Sequence, residues 1–202
     1  MHRGKTTAGS AGNAGAWHRN RWRIGAWTGA ALILLLPLAA MQVTDEVNWD
    51  PADFAVFGAM LLVAGGAFET AARTTANTAY RAAIGIALAT AFVLVWMNLA
   101  VGIIGTEDNP ANRMFGGVLA VGFIGAGVAR LRPAGMARTL AATAVAQASV
   151  AAIALIAGAD ATGPVRPAGI LMLTGLFVAP WLTAAWLFRK AAREEAAATA
   201  AL

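Results

Sequence analysis

The chain contains no cysteine, which excludes disulfides, thiolate metal sites and thiol nucleophiles. Histidine is nearly absent as well. His2 and His18 both precede the first apolar run, so no imidazole within a membrane is available to ligate haem or copper. Charge is scarce: Asp, Glu, Lys and Arg make up 12% of the residues, against 59% hydrophobic. A soluble domain carries about twice that charged share, so an ordinary soluble fold is excluded. No Ser/His/Asp set can be assembled, and H-E-x-x-H, G-x-S-x-G and a phosphate-cradling glycine loop are all missing. Paired acids within an apolar span, which a two-aspartate intramembrane protease needs, are also lacking. The chain is not expected to be an enzyme.

What is present is apolar length. Six mostly apolar stretches run over about 24–43, 54–72, 82–105, 114–131, 137–159 and 168–188. Each can cross a ~30 Å hydrocarbon layer at 1.5 Å per helical residue. Basic residues punctuate them unevenly. With the N-terminus placed inside, Arg3, Lys5, Arg19, Arg21, Arg23, Arg73, Arg81, Arg130, Arg132, Arg138, Arg189, Lys190 and Arg193 fall on inner segments. Only Arg113 and Arg166 fall outside. This positive-inside asymmetry predicts an all-α polytopic membrane protein, with six transmembrane helices and both termini cytoplasmic. The net charge of +5 therefore reflects topology and lipid headgroups rather than nucleic-acid binding. Thirteen arginines against two lysines, with abundant Ala and Gly, suggest a GC-rich bacterial genome and hence the inner membrane.

Residues 1–16 are small, polar and glycine-rich and read as a disordered cytoplasmic tail. Residues 17–190 form the bundle, and 191–202 a cytoplasmic C-terminal tail. The first apolar run is too long for a signal-peptide core, and PLAAMQVTDE after it is a poor cleavage site, so the run is expected to be retained.

Two helix starts look alike. Asp50-Pro51-Ala52-Asp53 and Asn109-Pro110-Ala111-Asn112 stand 59 residues apart. Each offers an N-cap, a proline at the first helical position and a polar residue placed to reciprocate the cap. Thr44-Asp45-Glu46 and Thr106-Glu107-Asp108 precede them, and Arg166-Pro167-Ala168-Gly169 repeats the proline alone. The pattern predicts three helical hairpins, the first two duplicated. Gly116, Gly117, Gly122, Gly125 and Gly127 on the fourth span suit close helix packing, with Gly122 and Gly125 as the packing candidates. Gly25-x-x-x-Gly29 suggests packing within the chain in preference to dimerisation. Pro180 should kink the sixth span. Trp27, Trp49, Trp186 and Tyr80 mark interfaces, while Trp96 and Trp181 lie deeper and pack between helices.

Three groups could carry chemistry. Asp45, Glu46, Asp50, Glu107 and Asp108, with Asp53 and Asp160, make the outer face acidic, and oxygen donors at this density suit Ca²⁺ or Mg²⁺. The spacing matches no established calcium loop, and helix N-termini favour acids without an ion, so solvated capping is the favoured reading. Glu69 is the only acid within a span, which makes it a candidate proton carrier. Arg73 follows at i+4, however, and favours a structural ion pair, with Arg81 across the turn as another partner. Asn98, two turns below the outer surface, and Gln147, near mid-membrane, could line a solute path or meet a quinone oxygen. Hydrogen bonding between helices is the simpler role for both.

The strings MQVTDEVNW (41–49) and NLAVGIIGTEDNPAN (98–112) resemble a recurring group of small bacterial multi-pass inner-membrane proteins. The resemblance covers most of 20–190. That family has no assigned activity, so the resemblance implies a bacterial membrane protein and carries over no functional residue. With no catalytic group and no cofactor predicted, the favoured expectation is an accessory, assembly or scaffold subunit. Its partners would be the lipid bilayer and other membrane subunits or a second copy, not nucleic acid. A small transporter or channel for an ion or solute competes with this, and a sensor of a periplasmic cation is weaker.

Overall fold

The computed structural model describes residues 8–45, 47–104, 109–157 and 167–201, with side chains from residue 23 in the first segment and from 168 in the last. All regular structure among them is helical: α1 (Ala8–Ala40), α2 (Pro51–Thr74), α3 (Thr78–Ala100), a short 3-10 helix (Pro110–Arg113), α4 (Met114–Ala129), α5 (Pro133–Ile156) and α6 (Pro167–Ala200). Six helical segments are long and apolar enough to cross a membrane, so the expected number of spans is met. Their starts lie earlier than apolarity alone indicates. Pro51, Pro133 and Pro167 each open a helix, because proline at the first position loses no intrahelical bond. α1 is helical from Ala8, so helical backbone includes residues 8–16 of the expected tail. α6 continues through Pro180 to Ala200.

The chain divides into two compact units, one up to Gly65 and one from Gly66 onward, with α2 contributing to both. In the first unit, Leu34 lies against Gly58 and Trp27 against Gly65, where a Cβ would meet the indole at 3.1 Å. The two helices therefore run antiparallel. Trp49 stacks edge-on against Phe54 and Phe57, with ring centroids 5.3 Å apart in each pair. The α2 cap forms as the sequence predicts. Asp50 Oδ1 accepts from the amides of Ala52 (2.7 Å) and Asp53 (3.0 Å), and Asp53 Oδ2 accepts from the Asp50 amide at 2.9 Å.

The second unit holds the core. α4 packs on α5, α5 on α6 and α6 on α3. α3 and α4, the expected second hairpin, barely meet along their lengths and are joined chiefly through the loop between them. The α5 face shows why α5 sits centrally. Met136, Ala137, Leu140, Thr143, Ala144, Gln147, Val150, Ala151 and Ala154 are all buried, a helical-period stripe broad enough to face two neighbours. Phe177, Trp181, Ala184, Ala185, Phe188 and Ala191 form the matching stripe on α6. Alanines let the backbones approach, and the aromatics fill the remaining volume.

One end of this unit is tied by several contacts. Asn77 caps α3 through the Tyr80 amide (2.9 Å) while its Nδ2 donates to Glu194 Oε2 (2.9 Å). The Tyr80 ring meets Phe188 edge-on at 5.0 Å, and its hydroxyl donates to the Leu131 carbonyl at 2.9 Å. That carbonyl belongs to the α4–α5 turn, where Arg130 (φ 49°) and Leu131 (φ 57°) are left-handed. Leu131 N bonds Ala126 O and Arg130 N bonds Gly127 O, a Schellman closure that usually uses glycine. Arg130→Gly is therefore expected to stabilise the protein by about 1 kcal/mol, read as a higher unfolding midpoint in a denaturing-detergent titration.

Candidate functional site

The polar groups of the second unit concentrate at the opposite end, in the string 98–112. Asn112 is buried at 4% exposure, and its side chain organises the loop. Oδ1 accepts from the amides of Ile103 (3.1 Å) and Ile104 (2.8 Å), and Nδ2 donates to the Ile104 carbonyl (3.3 Å). Asn98 Nδ2 donates to the Asn112 carbonyl at 3.3 Å. Gly102, at φ 69°, makes the reversal that aims both amides at Oδ1, a conformation that favours glycine. Ile103 and Ile104 are then buried at 3% and 1% exposure.

Asn112 therefore departs from its expected reciprocal capping role. Asn109 does cap, accepting from the Ala111 amide at 3.0 Å, but Asn112 turns to the preceding loop instead. The chemical reason is the amide. A carboxylate at this position, as at Asp53, could accept from the two N–H groups but could not donate to the Ile104 carbonyl. The α2 start consequently enters an α-helix at once, whereas its counterpart passes through the 3-10 turn Pro110–Arg113.

Deeper in the bundle, Gln147 (1% exposed) and Trp181 (3%) are buried, and Gln147 Oε1 and Trp181 Nε1 have no hydrogen-bond partner among the described residues. Asn98 Oδ1 is in the same position. Two acceptors and one donor, all neutral, are thus left for a bridging group or water. The hydroxyls do not add to this set. Thr90, Thr143, Ser149, Thr174 and Thr183 each donate to the carbonyl four residues earlier, at 2.7 to 3.0 Å, so they are satisfied within their own helices. No charged side chain is among the buried residues described. Trp181 packs between helices as expected; Trp96 is partly exposed.

Glu69 binds Arg73 at 2.5 Å, the i+4 pair anticipated from the spacing. Arg73 is well exposed, at 64%, so the pair contributes only a few tenths of a kcal/mol, about 0.3–0.5. The acidic outer set is not brought together as a whole. Glu46, Glu107, Asp108 and Asp160 lie outside the described residues; Asp45 is exposed, and the Asp50 carboxylate is engaged in its cap. Among the described residues, no three His, Cys, Asp or Glu side chains are grouped to hold a metal ion.

Of the glycines, Gly125 is the tight one. A Cβ there would stand 2.5 Å from Thr139 Cγ2, whereas at Gly122 it would meet Thr143 Oγ1 at an ordinary 3.5 Å. At Gly135, which apolarity did not single out, a Cβ would stand 2.7 Å from Ala129 Cβ across the α4–α5 turn. Within the first unit, a Cβ at Gly25 or Gly29 would meet no described atom within 4 Å. No protein-family model, curated protein or solved structure matches this chain.

Proposed function

We propose that the protein is a non-catalytic accessory, assembly or scaffold subunit of a complex in the bacterial inner membrane. On this reading six transmembrane helices cross the bilayer with both termini cytoplasmic, as in the small multi-pass family that the 41–49 and 98–112 strings resemble. It works without a cofactor, and its partners are lipid and other membrane subunits or a second copy. One observation carries the reading: within its own unit, the α1 window Arg23–Ala40 spans a membrane's thickness with no buried residue. Its two small residues at i and i+4, Gly25 and Gly29, lie open, as a helix that accepts a neighbouring helix would keep them. The self-satisfied hydroxyls and uncharged core of the second unit agree with a structural role.

The test is native mass spectrometry of the tagged protein extracted gently from its own membrane. Stoichiometric co-purification with another membrane protein or a second copy is the expected result, and Gly25→Leu with Gly29→Leu is expected to remove it. A monomer carrying only lipid would overturn the proposal.

Gln147 favours a second reading, a small transporter or channel for an ion or solute, since a free carbonyl oxygen in an apolar core is a ready solute ligand. On the scaffold reading, Gln147→Leu removes an unpartnered acceptor at nearly constant volume. It should then leave stability unchanged or raise it by about 1 kcal/mol. On the transporter reading the same variant folds and abolishes flux in liposomes.

A further inference from the structure

α6 is 34 residues long, about 51 Å at the helical rise, so it outruns a ~30 Å hydrocarbon layer by many residues. Its surplus lies at the end of the second unit held by the Asn77–Glu194 bond and the Tyr80–Leu131 bond. The level at which it leaves the apolar layer is marked by Trp186, which is 61% exposed, an indole being most stable where hydrocarbon meets headgroups. Arg189, Lys190 and Arg193 follow on the same helix face at i+3, i+4 and i+7. With Trp186, these exposed side chains outline a shallow surface cavity of about 300 Å³, open to solvent on the helix face.

The cations in this cavity are poorly compensated. Glu194, the nearest acid on the helix, is held by Asn77 Nδ2 at 2.9 Å and reaches Lys190 only at 4.0 Å. Among the described residues, neither Arg189 nor Arg193 has a carboxylate within ion-pair distance. Two guanidinium forks one helical turn apart, beside an ammonium, suit the oxygens of a phosphodiester, and the exposed indole suits the glycerol and upper acyl region below it. We propose that Trp186, Arg189, Lys190 and Arg193 form a binding site for the headgroup of an anionic phospholipid. The site depends on α6 crossing the bilayer and not on whether the protein acts as a scaffold.

The experiment uses the full chain in mixed micelles of phosphatidylglycerol and phosphatidylcholine, with retained lipid counted by native mass spectrometry. Wild type is expected to keep phosphatidylglycerol in preference to phosphatidylcholine. R189Q/K190Q/R193Q should lower the bound fraction by about fivefold or more, because the lost contacts are charge-assisted. R81Q/R132Q, which removes two exposed cations from the same end but outside the cavity, should change it by less than about twofold. All substituted side chains are exposed, and an unchanged unfolding midpoint verifies that each variant is folded. Equal retention by the triple variant, or equal loss in both variants, would overturn the proposal. Displacement of the lipid by millimolar inorganic phosphate would also overturn it, by identifying a soluble anion as the ligand.

Discussion

Asn112→Ala is expected to destabilise the protein by about 3–5 kcal/mol, the largest effect of any single polar substitution in the second unit. The substitution leaves the Ile103 and Ile104 amides and the Ile104 carbonyl without the partner that now satisfies them. Each abandoned buried group costs about 1–3 kcal/mol, and Asn112 is only 4% exposed. Hydrogen exchange at the Ile103 and Ile104 amides should accelerate before that of the α5 core, since the loop would open first. An unfolding midpoint equal to wild type would show that the loop is held by something else. Asn112→Asp offers a sharper check, because it keeps the acceptor but replaces the donor with a second oxygen. A buried carboxylate is costly, and protonation both removes the charge and restores a donor toward the Ile104 carbonyl. The Asp variant should therefore be weaker than wild type at neutral pH and regain stability as the pH falls.

Gly125→Val is the second large effect, expected at about 2–4 kcal/mol. The new Cβ would fall 2.5 Å from Thr139 Cγ2, 2.8 Å from its Oγ1 and 3.1 Å from its Cβ. Rotating the threonine moves the first two atoms and leaves the third, so α4 and α5 must separate. Gly122→Ala, three residues earlier, meets only ordinary van der Waals contact and should be close to neutral. The pair thus separates a packing clash from a general intolerance of bulk on α4. In a double-mutant cycle, Gly125→Ala combined with Thr139→Gly, which removes all three of these threonine atoms, should recover much of the loss, with a coupling of about 1–2 kcal/mol. Additive effects would show that the clash is not between these two side chains.

How far each feature could be read in advance follows from the range of the interaction behind it. The Asp50–Asp53 cap and the Glu69–Arg73 pair join residues three and four apart, and both form as their spacing predicts. Gly125 stood out as a packing residue because small side chains on an apolar helix have few other uses. Asn112 was read correctly as polar and wrongly as a cap partner. Its actual partners lie eight and nine residues away across a reversal at Gly102, and no periodicity signals that. The left-handed Arg130 was equally hidden, since glycine is the usual mark of such a turn and here it is missing. Gly135 passed unnoticed because its close neighbour, Ala129, belongs to the preceding helix.

Composition and apolar length alone determined that all regular structure among the described residues is helical, with six membrane-length segments, and that the sequence contains no cysteine. Those properties depend on single residues and on runs of twenty, and a bilayer tests each run separately. The tertiary structure alone decided that α3 packs on α6 rather than on α4, the next helix in the chain, within the second unit. It also decided that Asn112 closes the 98–112 loop, that Gln147 and Trp181 are left with free polar atoms, and that Arg189 and Arg193 face a cavity instead of a carboxylate. Each of these outcomes depends on which distant segments approach within a few ångströms, and that is set by the packing of whole helix faces.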